Sequence, residues 1–199
     1  MKKINKIMKN IQKIAMSGIP ASGKGTLITN LANYFKIPRE GIHSIGTLRR
    51  EFAKNKYGIT IDKLNELRNT DKTVDTKFDE FQKEYMATHN KWAIEGRLPY
   101  FFAPNEAVKI FLTVDKIEAA RRLYFANRDS EEKYTSIKHA LKTLEKRMKS
   151  DIETYYKLYK TNCYDVSNFD IILDTTEMNK NEVYQKAIKK IEKLGLSNF

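Results

Sequence analysis

The 199-residue sequence is poor in the residues that staple, ligate or break a chain: one cysteine, three histidines, four prolines and eight glycines. A single thiol, Cys163, excludes an internal disulfide and leaves no cysteine cluster for a metal. That usage suits a reducing compartment, and a cytoplasmic protein is expected. His43, His89 and His139 share no ligand spacing and do not pair with Cys163, so neither a zinc site nor a Cys/His nucleophile is expected. No apolar run approaches the ~20 residues that span a bilayer. The first residues, Met1 to Ile7, carry charge without the uninterrupted apolar segment of a secretory signal, so no membrane partner is expected. With no Pro-, Gly- or Ser-rich linker and no internal repeat, residues 14–199 are expected to be one domain behind a basic lead-in of residues 1–13. A monomer is expected.

Acidic residues are also in deficit, 25 against 37 Lys and Arg, for a net charge of +12. Such a balance suits a nucleic-acid binder or an enzyme of phosphorylated substrates. The lysines are dispersed over positions that read as solvated helix faces, and only the first thirteen residues form a basic run. General surface charge is therefore the better reading, and no nucleic-acid partner is expected. Hydrophobic residues make up 41% of the chain, ordinary for a globular protein and too many for a disordered one.

What is present is concentrated in Gly18-Ile19-Pro20-Ala21-Ser22-Gly23-Lys24-Gly25-Thr26. The stretch follows an apolar run, Ile14 to Ser17, and precedes the helical spacing Leu27, Ile28, Leu31, Tyr34, Phe35. Strand, glycine loop and helix together turn a G-x-x-x-x-G-K match into a phosphate site. The glycines let backbone N–H groups converge on an anion, the helix N-terminus adds partial positive charge, and Lys24 supplies a mobile point charge.

Along the chain, further strands are expected at 41–46, 91–95, 107–114 and 169–174, alternating with helices. The helices include Leu48 to Lys56 closed by Gly58, one opened by Thr60, Asp71 to Asn90, and one capped by Asp115. A long one runs from Tyr134 to Tyr159, and a last one from Asn179 to Leu194. This order implies an α/β fold, a parallel sheet covered on both faces. In such sheets ligands sit beyond the carboxyl ends of the strands. The residues there are the glycine loop, then Ser44, Thr47, Arg49 and Arg50, then Glu95-Gly96-Arg97, then Asp115, then Asp174-Thr175-Thr176. Arginines around an anion loop are what phosphoryl transfer requires, because that chemistry is positioning and charge neutralisation.

These motifs resemble the nucleoside monophosphate kinases, and within them the compact cytidylate kinases, from about Ile14 to the C-terminus. Gly23-Lys24-Gly25-Thr26 is the loop ending those kinases use, with Gly25 where most other P-loops carry Ser or Thr. The resemblance implies a three-layer α/β/α P-loop fold with a five-stranded parallel sheet, a helical acceptor-binding insertion at about 46–90 and a short lid at about 128–147. It implies ATP bound on Gly18 to Thr26 and Mg2+ held mainly by phosphates and water, with Thr26 nearby and Glu95 orienting water. Ser44-Ile45-Gly46-Thr47-Leu48-Arg49-Arg50-Glu51 resembles the family's Ser-x-Gly-Asp-x-x-Arg-Glu, with Thr47 in place of Asp. Ser44 and Arg50 would thus bind the acceptor monophosphate, and Arg97 of Glu95-Gly96-Arg97 would bind it too. Asp75 resembles an aspartate of the acceptor region; a helix cap explains it equally well.

Arg128 matches a lid arginine, Arg121 a helix arginine upstream, and Tyr124 stands where the family stacks an arginine on adenine. Arg147 and Asp151, four apart on one helix face, resemble the pair that reads cytosine; an ordinary helical ion pair is the alternative. Thr154 replaces a further family arginine, and Thr175 belongs to a loop that borders adenine. The resemblance implies phosphorylation of CMP or dCMP by ATP, with Lys24, Arg97, Arg128 and Arg121 neutralising charge. The alternatives are a kinase for AMP or UMP, a non-catalytic nucleotide-binding protein and a basic nucleic-acid-associated protein.

Overall fold

A computed structural model describes residues 11–71, 73–126 and 134–197. At its centre β1 (Lys13–Gly18), β2 (Ile42–Ser44), β3 (Trp92–Glu95), β4 (Val108–Thr113) and β5 (Ile171–Asp174) form an all-parallel sheet in the order β2-β3-β1-β4-β5. The central strand has no solvent-exposed face: Ile14, Ala15 and Met16 are each fully buried. That is why it reads as a continuous apolar run instead of an alternating one.

Two helical layers bury the sheet. On one side α1 (Lys24–Tyr34) and α8 (Lys180–Ser197) bring Leu27, Ile28, Leu31, Ala187 and Ile191 against Ile14, Met16, Ile110 and Leu112. On the other, α2 (Ile45–Phe52), α3 (Ile61–Thr70), α4 (Thr73–Thr88) and the single turn α5 (Pro99–Phe102) pack on Ala15, Trp92 and Ile94 through Leu48, Phe52, Leu64, Phe78 and Tyr100. A third cluster forms between α6 (Lys116–Phe125) and α7 (Ile137–Tyr159), where Ala119, Ala120, Leu123, Ala140 and Leu144 also meet Ile19 and Ala21 of the glycine loop. The loop is thereby packed from below by apolar contacts.

Helix ends follow local chemistry, with three departures from expectation. The second helix starts earlier than Leu48, because Ser44 caps it by accepting from the Thr47 amide at 3.0 Å. Its last turn widens into a π-helical segment, Ala53–Tyr57, which Gly58 ends in the left-handed conformation at φ 66°. The expected Asp71-to-Asn90 helix spans Thr73–Thr88, and it is the Asp71 carboxylate, not Asp75, that accepts the Thr73 amide at 2.8 Å.

Two glycines set how closely the strand ends approach. Gly18 has φ 153°, and a Cβ there would lie 2.4 Å from the Leu112 carbonyl oxygen, so any side chain would force β1 away from β4. A Cβ on Gly96 would lie 2.2 Å from Cγ1 of Ile45, which holds the end of β3 directly beside the start of α2.

Candidate active site

The glycine loop leaves β1 at Gly18, where the Ile19 amide is bonded to the Leu112 carbonyl at 3.0 Å, and enters α1 through Gly23 in the left-handed conformation. No side chain caps α1. Its first amides are therefore left to any anion in the loop, and Gly25 and Thr26 are exposed there. Pro20 and Ser22, within the loop, are buried.

Lys24 folds back under the loop, with Nζ donating to the carbonyls of Ile19 at 2.9 Å and Gly18 at 3.2 Å. Burial, together with the neighbouring positive charge of Arg97, pushes its pKa down from the ordinary lysine value to about 7; Glu95 opposes this. Arg147 lowers it and Asp151 raises it more weakly. A binding consequence follows. Polyphosphate brought onto Lys24 favours its charged form, so nucleotide binding near pH 8 should take up a proton, and affinity should fall as pH rises from 7 to 9. Titration calorimetry in buffers of different ionisation enthalpy measures that uptake, and Lys24→Met should abolish it. The folding consequence has the opposite sense. Between about pH 7 and 10.5 the unfolded lysine binds more protons than the folded one, so this group's contribution to stability rises with pH across that window.

Arg97, at the end of β3, is 14% exposed and donates from Nε to Oδ2 of Asp151 at 2.7 Å; the Tyr164 hydroxyl donates to the same oxygen, also at 2.7 Å. Asp151 therefore pairs across the molecule with Arg97. The helical ion pair with Arg147, four residues away, is not formed. Arg147 is exposed and its guanidinium carries no ion pair among the described residues. Glu95 sits beside Met16 and Ser44 in the sheet register.

The two adjacent arginines of α2 divide. Arg49 is bound to Asp75 and lies 4.8 Å over the Phe78 ring. Asp75, expected either at the acceptor or as a cap, is thus the ion-pair partner that holds Arg49 to α4. Arg50 is exposed and has no ion pair among the described residues; a Cβ on Gly46 would lie 4.0 Å from its Nη1. Ser44 accepts from the backbone of its own helix and bonds the Thr47 hydroxyl at 2.9 Å. Thr47 thus completes a local turn from the position where the family carries Asp.

On the donor side the sequence reading missed the residue that ties the loops together. Arg122 donates from Nη1 to the Ala21 carbonyl at 3.4 Å and to the Thr175 hydroxyl at 3.2 Å. From Nη2 it reaches the carbonyls of Thr175 at 2.6 Å and Thr176 at 3.1 Å, while Glu118 holds its Nε at 3.1 Å. Thr175 is fully buried and bonds the Ser22 and Thr113 carbonyls. Tyr124, by contrast, is exposed and lies edge-on to Phe125, and Arg121 is exposed, with its helix neighbour Glu118 as its one ion-pair partner among the described residues. Arg128 lies outside the described residues. Thr154 is exposed on α7.

The profile of the cytidylate kinase-like family matches residues 14–177. A cytidylate kinase of Thermoplasma volcanium is 31% identical over 186 residues, covering 92% of this chain and 93% of its own. An S-adenosylmethionine-dependent nucleotide dehydratase of Lacinutrix mariniflava is 30% identical over 182 residues, 91% of this chain but only 36% of that longer protein. In three dimensions the shikimate kinase of Bacteroides thetaiotaomicron superposes with a TM-score of 0.56 at 15% identity, over 92% of this chain and 97% of its own, a likeness of fold. With its glycine loop, sheet order and strand-end cations, this chain belongs to the cytidylate kinase-like family, and with it to the nucleoside monophosphate kinases.

Proposed function

We propose that the protein transfers the γ-phosphoryl group of ATP to a cytidine monophosphate, CMP or dCMP. The observation that carries this reading is that the glycine loop leaving β1, with Lys24 tucked beneath it, adjoins the end of β3, where Glu95 pairs with Met16 and Arg97 is held by Asp151 of α7. ATP phosphates would lie on the amides of Gly18 to Thr26, where Lys24 exchanges its two carbonyl partners for phosphate oxygens. Arg122 keeps the loop and the Thr175 segment together beside the base. The acceptor monophosphate would lie between Arg97 and Arg50, with Ser44 fixing the turn that carries Arg50. Residues 46–90 would then form the acceptor region, and 128–147, with Arg128, the lid. An acceptor phosphate oxygen is already a nucleophile, so no general base is needed; alignment and charge neutralisation carry the reaction.

Mg2+ fits the donor set. No group of three or more His, Cys, Asp or Glu able to hold a metal occurs among the described residues. Thr26 and Glu95 offer one hydroxyl and one carboxylate, which suits an ion that keeps waters and takes most ligands from phosphate. Mg2+ would offset phosphate charge there. Exposed on α7 one turn before Asp151, Arg147 would contribute to the choice of base. ADP formation measured with CMP, dCMP, UMP and AMP tests the assignment. The highest kcat/KM is expected for CMP or dCMP, and a clear preference for AMP or UMP would overturn it.

A further inference from the structure

We propose that Tyr164 is a positioning residue for the acceptor phosphate, acting through Asp151 on Arg97; this rests on the reading of Arg97 as the monophosphate clamp. Arg97 makes one side-chain bond among the described residues, through Nε, and both Nη groups are left for a ligand. That is the orientation in which a guanidinium can present two parallel donors to a phosphate. It depends on one carboxylate oxygen. Oδ2 of Asp151 accepts both Arg97 and Tyr164, each at 2.7 Å, and Asp151 comes from α7 while Tyr164 follows it in the segment leading to β5. An Asp carboxylate turns readily about its last torsion. The Tyr164 hydroxyl removes that freedom.

Tyr164 is itself fixed. Its amide donates to the Asn162 side chain at 3.0 Å, and its ring packs among the partly buried members of the α2–α4 core. Burial, with the nearby Asp151 carboxylate, holds its phenol above the ordinary pKa, so the hydroxyl remains a donor. The neighbouring Cys163 is 1% exposed, so the Tyr164 side of this pair borders the core. Hydrogen bonds at such a place are strong, and an unpinned arginine must be ordered by its ligand instead.

The test is a double-mutant cycle with Tyr164→Phe and Arg97→Met, read as KM and calorimetric Kd for CMP, KM for ATP, and Tm. Tyr164→Phe keeps the ring and should weaken CMP about tenfold, leaving the ATP KM within about twofold. Asp151→Asn should act in the same direction. In the Arg97→Met background Tyr164→Phe should add nothing, because its effect passes through the missing guanidinium. If Arg97→Met weakens CMP and Tyr164→Phe does not, or if Tyr164→Phe weakens CMP equally in both backgrounds, the positioning role is refuted while the clamp stands. If Arg97→Met leaves CMP binding unchanged, the clamp itself is refuted and the positioning role with it.

Discussion

Lys24→Met is expected to lower kcat about a thousandfold while the protein still folds. The lysine is the only side-chain cation in the loop, and its Nζ is already held within the loop by the Gly18 and Ile19 carbonyls. Removing it takes away a charge that matters most as the transferring group becomes more dispersed in charge. The fold should tolerate the change. The buried ammonium is held against desolvation and against Arg97, so methionine, of similar length and without charge, removes an unfavourable term. Two carbonyls lose a donor, a small opposing cost. Steady-state ADP formation and thermal unfolding measure both halves. Turnover within tenfold of the wild type would contradict the assignment of the loop.

The second large effect belongs to Arg97. Arg97→Met is expected to lower kcat/KM for the monophosphate by about two to three orders of magnitude, with the KM for ATP little changed. Unlike Lys24→Met, it should also destabilise the protein, by about 1–3 kcal/mol. Asp151, 21% exposed, would lose its cation and keep the Tyr164 hydroxyl as its one side-chain partner among the described residues. A further sign comes from Lys24. Arg97 lowers its pKa, so Arg97→Met should raise it and shrink the proton uptake on ATP binding. Steady-state kinetics with each substrate varied in turn, and urea unfolding, separate these outcomes. A loss confined to ATP, or stability unchanged, would contradict the described roles.

What the sequence made legible is what is contiguous. The loop could be read because strand, glycines, lysine and helix follow each other within Ile14 to Phe35. The inner strands β1 and β3 could be read because burial on both faces demands nearly unbroken apolar runs, whereas β2, Ile-His-Ser, and β5, whose residues alternate between buried and exposed, were legible from their place in the alternation of strands and helices. Thr60 and Asp115 were legible as caps because capping is local: Thr60 accepts from Lys63, and Asp115 from Ile117 and Glu118.

The remainder depends on distant partners. Arg122 reaches Thr175, 53 residues away, and Arg97 reaches Asp151, 54 residues away. Nothing within a few residues of Asp151 announces that it faces β3, and its spacing from Arg147 suggests a partner it does not use. Arg122 and Tyr124 flank the buried face made by Ala119, Ala120 and Leu123 on opposite sides, so helical spacing does not separate them; the one local sign for Arg122 is Glu118, one turn earlier, which orients it. Arg49 and Arg50 are indistinguishable by composition; only the position of Asp75 and Phe78 on α4 assigns Arg49 to structure.

The central claim is that Lys24 and Arg97 belong to one site that joins a nucleoside triphosphate to a nucleoside monophosphate. A single-turnover reaction with γ-phosphate-labelled ATP, CMP, Mg2+ and excess protein tests it most directly. The label is predicted to appear in CDP, in an amount equal to the ADP formed, and Lys24→Met and Arg97→Met should each slow its transfer. Label released as inorganic phosphate, or retained in ATP while both nucleotides are bound, would contradict it.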